Sequence, residues 1–183
     1  MDKFFLSCDQ AVIVIVDVQE RLANAMQARD QVVGNCLHLV ELAKLHDIPI
    51  IVTEQYPKGL GPTVEPLRNA LPSYEPVEKL SFSCCGQTDF ISRVGKVGRN
   101  TVLLAGMETH VCVLQTCLDL LKQGINVHLV NDAVCSRTKE NSETGIELMR
   151  DAGAVVTCTE TVLFQILKMA GSEEFKAISR RIK

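Results

Sequence analysis

Three residues of unlike chemistry stand at the ends of three separate apolar runs: Asp17 after AVIVIV, Lys79 in PVEKL, and Cys112 in GMETHVC. A carboxylate can take a proton, an ammonium can hold negative groups in place, and a thiol relieved of its proton is a strong nucleophile. Brought to one place, they are the parts of an acyl-transfer site. Cys112 stands out among eight cysteines (Cys8, Cys36, Cys84, Cys85, Cys112, Cys117, Cys135, Cys158). It falls in the first turn of a helix-period segment, where free N–H groups and the helix dipole favour a thiolate, and a nearby ammonium would lower its pKa further. Those amides could also hold a developing oxyanion. Each residue has an ordinary reading as well: Asp17 as a cap on the next helix, Lys79 as a solvated edge charge, Cys112 as one more core thiol. From the residues alone, both readings stay open. His38, His46 and His128 read as helix-face or strand residues, and the adjacent pair Cys84-Cys85 is a weak redox signal. No C-x-x-C, zinc spacing, phosphate loop or dinucleotide fingerprint occurs.

The elements that must position these groups follow from periodicity. Continuous β-branched or apolar runs at Ala11–Asp17, Pro49–Gln55, Thr101–Gly106 and Ile125–Val130 predict strands buried on both faces. Pro76–Leu80 and Ala154–Thr157 are weaker ones, making six in all. Helix-period segments span about Asp30–His46, His110–Lys122 and Thr138–Asp151, and a terminal helical region from about Thr161 to Ile182 is interrupted near Gly171-Ser172. In the helix after the fourth strand, Cys112 shares a polar stripe with Gln115, Asp119 and Lys122. Strand and helix in alternation predict right-handed βαβ units on a parallel sheet with helices on both faces. Tyr56–Pro76, holding five of the six prolines, is an insertion of the kind that lines active sites.

In such a sheet, ligands bind beyond the carboxyl ends of the strands, where strand order reverses. Asp17, Glu54-Gln55-Tyr56, Glu78-Lys79, the segment Gly106–Cys112 and Asn131-Asp132 all project from that rim. With strand order 3-2-1-4-5-6, Asp17 and Cys112 flank the crevice.

Composition sets the bounds. A chain of 183 residues, 46% apolar and 22% charged, predicts one domain over 1–183 with a self-sufficient core. A net charge of −3 provides no basic field for nucleic acid, and an aromatic share of 4% without Trp offers few stacking platforms. No apolar stretch approaches a membrane span. MDKFFLSCDQ is too short in apolar residues for a signal peptide, and reduced thiols fit a cytoplasmic protein.

VIVDVQE, EKLSFS and AGMETHVCV, in this order, resemble the isochorismatase-like hydrolase superfamily over about residues 10–165. TEQYPKGLGPTV is most similar to the subgroup of isochorismatase-domain-containing proteins. The resemblance implies a three-layer, doubly wound, Rossmann-like α/β fold with a six-stranded parallel sheet. It implies a catalytic triad of Asp17, Lys79 and Cys112, with Cys112 as nucleophile, Asp17 as general base and Lys79 holding the charges in place. It further implies a cis peptide at Met107–Glu108 and an oxyanion hole built from the backbone N–H groups of Glu108 and Cys112. Attack on an amide carbonyl would expel ammonia or an amine and leave a thioester for water to cleave. By position, Gln19, Gln55, Tyr56, Phe82 and His110 are expected to line the substrate pocket.

Two departures sharpen the expectation. Nicotinamidases of the superfamily carry an Asp and several His after the second strand to hold a metal, whereas TEQYPKGLGPTV has no His; no metal and no other cofactor are expected. True isochorismatases lack the nucleophilic cysteine, so Cys112 favours C–N hydrolysis of a small amide or carbamoyl compound. The alternatives are vinyl-ether hydrolysis with Cys112 incidental, a lapsed enzyme that binds a small molecule or acts as a scaffold, and a thiol redox protein. The expected partners are a small-molecule substrate and further copies of the chain, as a dimer or tetramer, with no nucleic acid and no membrane. The apolar side chains Val162, Leu163, Ile166, Leu167 and Ile178 could either cover the sheet or form the subunit contact.

Overall fold

The computed structural model describes residues 2–182. Its strands are β1 (Ala11–Val16), β2 (Ile50–Gln55), β3 (Val77–Lys79), β4 (Thr101–Met107), β5 (Asn126–Cys135) and β6 (Val155–Thr157). Its helices are α1 (Glu20–Asn24), α2 (Arg29–His46), α3 (Pro57–Leu60), α4 (Glu65–Ala70), α5 (Thr88–Val97), α6 (Leu114–Lys122), α7 (Lys139–Asp151), α8 (Thr159–Leu167) and α9 (Glu173–Arg181). The six strands form one sheet in the order β3-β2-β1-β4-β5-β6, every ladder parallel. Fold class, strand number and strand order are those expected.

Central β1 is buried at all of its positions because each face of the sheet carries its own core. Ile13 and Ile15 point into the core built with Leu39 and Leu42 of α2, Val162 and Leu163 of α8 and Ile178 of α9. Val12, Val14 and Val16 point into the core shared with Phe90 of α5, Cys117 and Leu120 of α6 and Met149 of α7. The apolar residues of the last two helices therefore cover the sheet, which removes them as a subunit contact. No helix among the described residues is long and apolar enough to cross a membrane.

The chain departs from the sequence reading in four places. Helix α5 was not anticipated, although Phe90, Ile91, Val94 and Val97 repeat at helical spacing and the first and third of these are buried. The insertion contains two short helices, α3 and α4, each with a proline in its first turn, where the missing N–H costs nothing. β5 does not stop at Val130: it bulges between Leu129 and Val134 and runs on to Cys135. Asn131-Asp132 thus lies in the bulge, and Asp132 Oδ1 caps α8 by accepting from Thr159 N and Oγ1, each at 2.8 Å. Finally, the segment expected as regular helix from His110 opens with a wide π-helical turn, Thr109–Val113, before α6 begins. The extra residue in that turn takes Cys112 off the polar stripe, and it is buried at 6% exposure.

Two glycines mark where the backbones come closest. Gly106 of β4 pairs with Val16 of β1 at φ +125°, and a Cβ there would lie 2.0 Å from Val16 O. Gly145 of α7 lets that helix rest on the π-turn, where a Cβ would lie 3.0 Å from His110 Cα.

Candidate active site

The C-terminal ends of β1, β2 and β3 and the turn after β4 bring Asp17, Lys79 and Cys112 together. Asp17 follows β1 in the left-handed region, φ +51°. Asp tolerates that region better than most residues, because its short polar side chain bonds locally. Its carboxylate is fully buried: Oδ2 accepts from Lys79 Nζ at 2.6 Å and Oδ1 from Thr53 Oγ1 at 2.7 Å. Lys79 Nζ is pinned in addition by Gln55 Oε1 (2.9 Å), Phe82 O (3.0 Å) and Ser81 O (3.3 Å). The thiol of Cys112 faces the Asp17 carboxylate, and each alters the other's hold on a proton.

Electrostatics follow from burial. Desolvation raises the pKa of Asp17, opposed by the Lys79 ammonium and the Thr53 hydroxyl. Desolvation works against the charge on Lys79, but Asp17, Cys84 and Cys112 outweigh it and hold that pKa above its ordinary value. For Cys112, burial and the Asp17 carboxylate push the thiol up to about 12. The sequence reading had the helix end and an ammonium lowering this pKa. In the folded chain burial and the nearby acid outweigh the ammonium, so the resting group is a neutral thiol.

Behind Cys112, the peptide Met107–Glu108 is cis, as the resemblance implied. The Glu108 carboxylate binds Arg137 through its N (3.0 Å) and Nε (3.1 Å). The Glu108 carbonyl accepts from Val111 N and Val113 N, and its own N–H donates to no acceptor among the described residues.

The expected pocket residues divide. Tyr56, half exposed, lines a cavity of about 430 Å3 together with Pro57, Lys58, Glu78, Lys79, Leu80 and Gln87. Cys112 is not in that lining. Phe82 is exposed at the rim, and half-buried His110 is tied through Nδ1 to Ser136 Oγ at 2.9 Å. Gln19 and Gln55 are spoken for. Buried Gln19 spends both N–H donors on Gln55 O (2.9 Å) and Gly61 O (2.7 Å), while its Oε1 accepts from Gln55 N (2.7 Å). Gln55 in turn holds Lys79 and Leu80 O. They brace the site rather than line it.

Other residues hold the site together in ways their sequence positions did not show. Glu54 accepts from Thr63 N (2.6 Å), Thr63 Oγ1 (2.8 Å) and the Tyr74 hydroxyl, and so clamps the insertion to β2. Ser83 Oγ donates to Asp119 Oδ2 at 2.6 Å and Cys84 N to Thr116 Oγ1 at 2.9 Å, stitching the loop after Lys79 to the helix after Cys112. The polar stripe on α6 carried a signal for the first of these. A buried hydroxyl on β2 carried none. Among the described residues, no group of three or more His, Cys, Asp or Glu could hold a metal ion.

Known proteins share both the sequence and this arrangement of elements. The isochorismatase domain profile matches residues 11–161. A protein named secreted isochorismatase effector Isc1, from Phytophthora sojae, is 40% identical over 94% of this chain and 84% of its own length. The solved structure of a MAR1 ribonuclease from Caenorhabditis elegans is 35% identical and superposes with a TM-score of 0.90 over 97% of this chain and 92% of that one. A structure of YcaC from Pseudomonas aeruginosa with hexane-2,5-diol and covalent acrylamide is 25% identical, with a TM-score of 0.91 over 97% and 91% of the two chains. The chain belongs to the isochorismatase family of hydrolases.

Proposed function

We propose that this hydrolase cleaves the C–N bond of a small amide or carbamoyl compound through a thioester on Cys112, without a metal. One observation carries the reading: a buried carboxylate held by an ammonium at 2.6 Å faces a thiol at the C-terminal rim of the sheet. A site that only bound ligand has no physical need to bury an acid, an ammonium and a thiol together.

The steps follow from the charges. Asp17, its proton affinity raised by burial, takes the Cys112 proton as Sγ attacks the carbonyl carbon. The oxyanion that forms meets the N–H groups of Glu108 and Cys112. Asp17 returns the proton to the leaving nitrogen, ammonia or amine departs, and the same carboxylate draws a proton from the water that cleaves the thioester and passes it to the released Cys112 Sγ. Lys79 keeps Asp17 in place throughout. Tyr56 and Phe82 stand at the entrance. The covalent acrylamide of the YcaC structure fits this reading, since acrylamide is an electrophile of amide shape.

The ribonuclease name of the Caenorhabditis relative supports a second reading. Net charge −3 and 4% aromatic residues weigh against RNA as substrate here. The proposal extends to a cytoplasmic homo-oligomer, dimer or tetramer. Eight free thiols support the location, and Leu118 and Leu148, exposed on neighbouring α6 and α7, supply apolar surface for assembly. A solution mass of 20.2 kDa, one chain, would overturn the oligomer.

Ammonia release from a panel of small primary amides and carbamoyl compounds tests the activity. Cys112→Ala and Asp17→Asn are each expected to cut the rate at least about a thousandfold. Full activity in Cys112→Ala would contradict the thioester route, and RNA cleavage that needs Cys112 would favour the second reading.

A further inference from the structure

Thr53 lies on β2 beside the end of β1, paired in register with Val16, and its side chain is fully buried. A hydroxyl in that place must have partners, since an unpaired polar group in a core is costly. It has two. Its Oγ1 lies 2.7 Å from Asp17 Oδ1, and the thiol of Cys84, also fully buried, donates toward the same oxygen at 3.7 Å. A hydroxyl carries a single proton. With Cys84 S–H aimed at its lone pair, that proton can only point at the carboxylate. Cys84 is held for this by its own backbone N–H, bound to Thr116 Oγ1 at 2.9 Å on the helix that follows Cys112.

We propose that Thr53 is a positioning residue for Asp17, its orientation set by Cys84, and that it keeps the carboxylate ionised and aimed at Cys112. The proposal rests on Asp17 being the base for Cys112. The groups that face Asp17 are few and come from separate elements: Lys79 at the end of β3, Thr53 on β2, Cys84 in the loop after β3, and Cys112 on the π-turn. Lys79 and Thr53 are the fixed donors to the charged form; the Cys112 thiol also bonds it, and its proton is the one that Asp17 takes. Lys79 supplies charge on Oδ2. Thr53 covers Oδ1, which would otherwise be a buried anionic oxygen facing a thiol with no fixed donor. A donor to a carboxylate favours its ionised form, so losing the hydroxyl moves the ionisation of Asp17 to higher pH.

The test is the rate of Cys112 alkylation by iodoacetamide against pH, mapped by mass spectrometry, in the wild type, Thr53→Val, Thr53→Ser and Asp17→Asn. Valine keeps the shape of threonine without its donor. The acid limb of the profile is expected to move up by about one pH unit in Thr53→Val and to return in Thr53→Ser. A Thr53→Val profile that superposes on the wild type, or a serine variant that behaves like the valine one, would overturn the proposal. Thermal unfolding checks each variant, and Thr53→Ala, which asks for no new packing, carries the same expectation if the valine variant does not fold. Failure of the underlying reading looks different: Asp17→Asn would then leave both the rate and the profile unchanged.

Discussion

At the scale of single residues, the site is an exercise in burying charge. An isolated carboxylate at the position of Asp17 would be expensive, and the cost is met by four contacts on Lys79 and one hydroxyl from Thr53. The directions of the shifts fix a pH dependence. In the proposed mechanism catalysis needs Asp17 ionised, so the rate is expected to fall as pH drops through its pKa, which burial places above the ordinary 3.8. It needs Lys79 charged, so the alkaline limb lies above 10.5. A profile of kcat/KM for amide hydrolysis should therefore be broad, with an acid limb that disappears in Asp17→Asn. A limb near the free-thiol value of about 8.5 would mean that a thiolate formed by Cys112 alone controls the rate. That Asp17, Lys79 and Cys112 gather at one rim was legible in the sequence, because Asp17 and Cys112 follow strands and Lys79 ends one. Their protonation states were not, because desolvation depends on neighbours that only the fold assembles.

At the scale of elements, close approach decides function. β4 touches β1 at Gly106, just before the turn that carries Cys112, and α7 touches that π-turn at Gly145. Gly106→Ala is expected to cost about 3 kcal/mol or more, since both the φ of +125° and the 2.0 Å approach to Val16 O must give. Gly145→Ala is the finer probe. Its Cβ at 3.0 Å asks the turn to move by a few tenths of an ångström, while the helix propensity of Ala offsets the crowding to within about 1 kcal/mol. Alkylation of Cys112 should slow in Gly145→Ala with the melting temperature little changed; equal loss of both would mean the contact is only structural. Strands β1, β2 and β4 could be read from their apolar runs. The π-turn, the bulge in β5 and helix α5 were not read. A wide turn and a bulge are answers to packing against neighbours, which periodicity does not encode, but the spacing of Phe90, Ile91, Val94 and Val97 did hold the signal for α5.

At the scale of the whole molecule, the two-sided sheet explains both the cysteine content and the best experiment. Cys36, Cys84, Cys112, Cys117 and Cys135 are buried, and Cys8, Cys85 and Cys158 are half-buried. Burial pushes Cys36, Cys85, Cys117 and Cys135, like Cys112, up to about 12, and Cys84 to about 11. Strand order was legible because the motifs and the alternation of elements agree. Which thiol would be sheltered was not, since the cores form between elements far apart in sequence. With its pKa so high, Cys112 can react ahead of the others near neutral pH only if Asp17 takes its proton as the bond forms. The measurement that tests this most directly is competitive labelling of all eight thiols with substoichiometric iodoacetamide between about pH 5 and pH 9, in the wild type and in Asp17→Asn. Cys112 is expected to be labelled first in the wild type, ahead of the more accessible Cys8 and Cys158, and to lose that lead in Asp17→Asn. Labelling of Cys112 no faster than Cys8 or Cys158 in the wild type would contradict it.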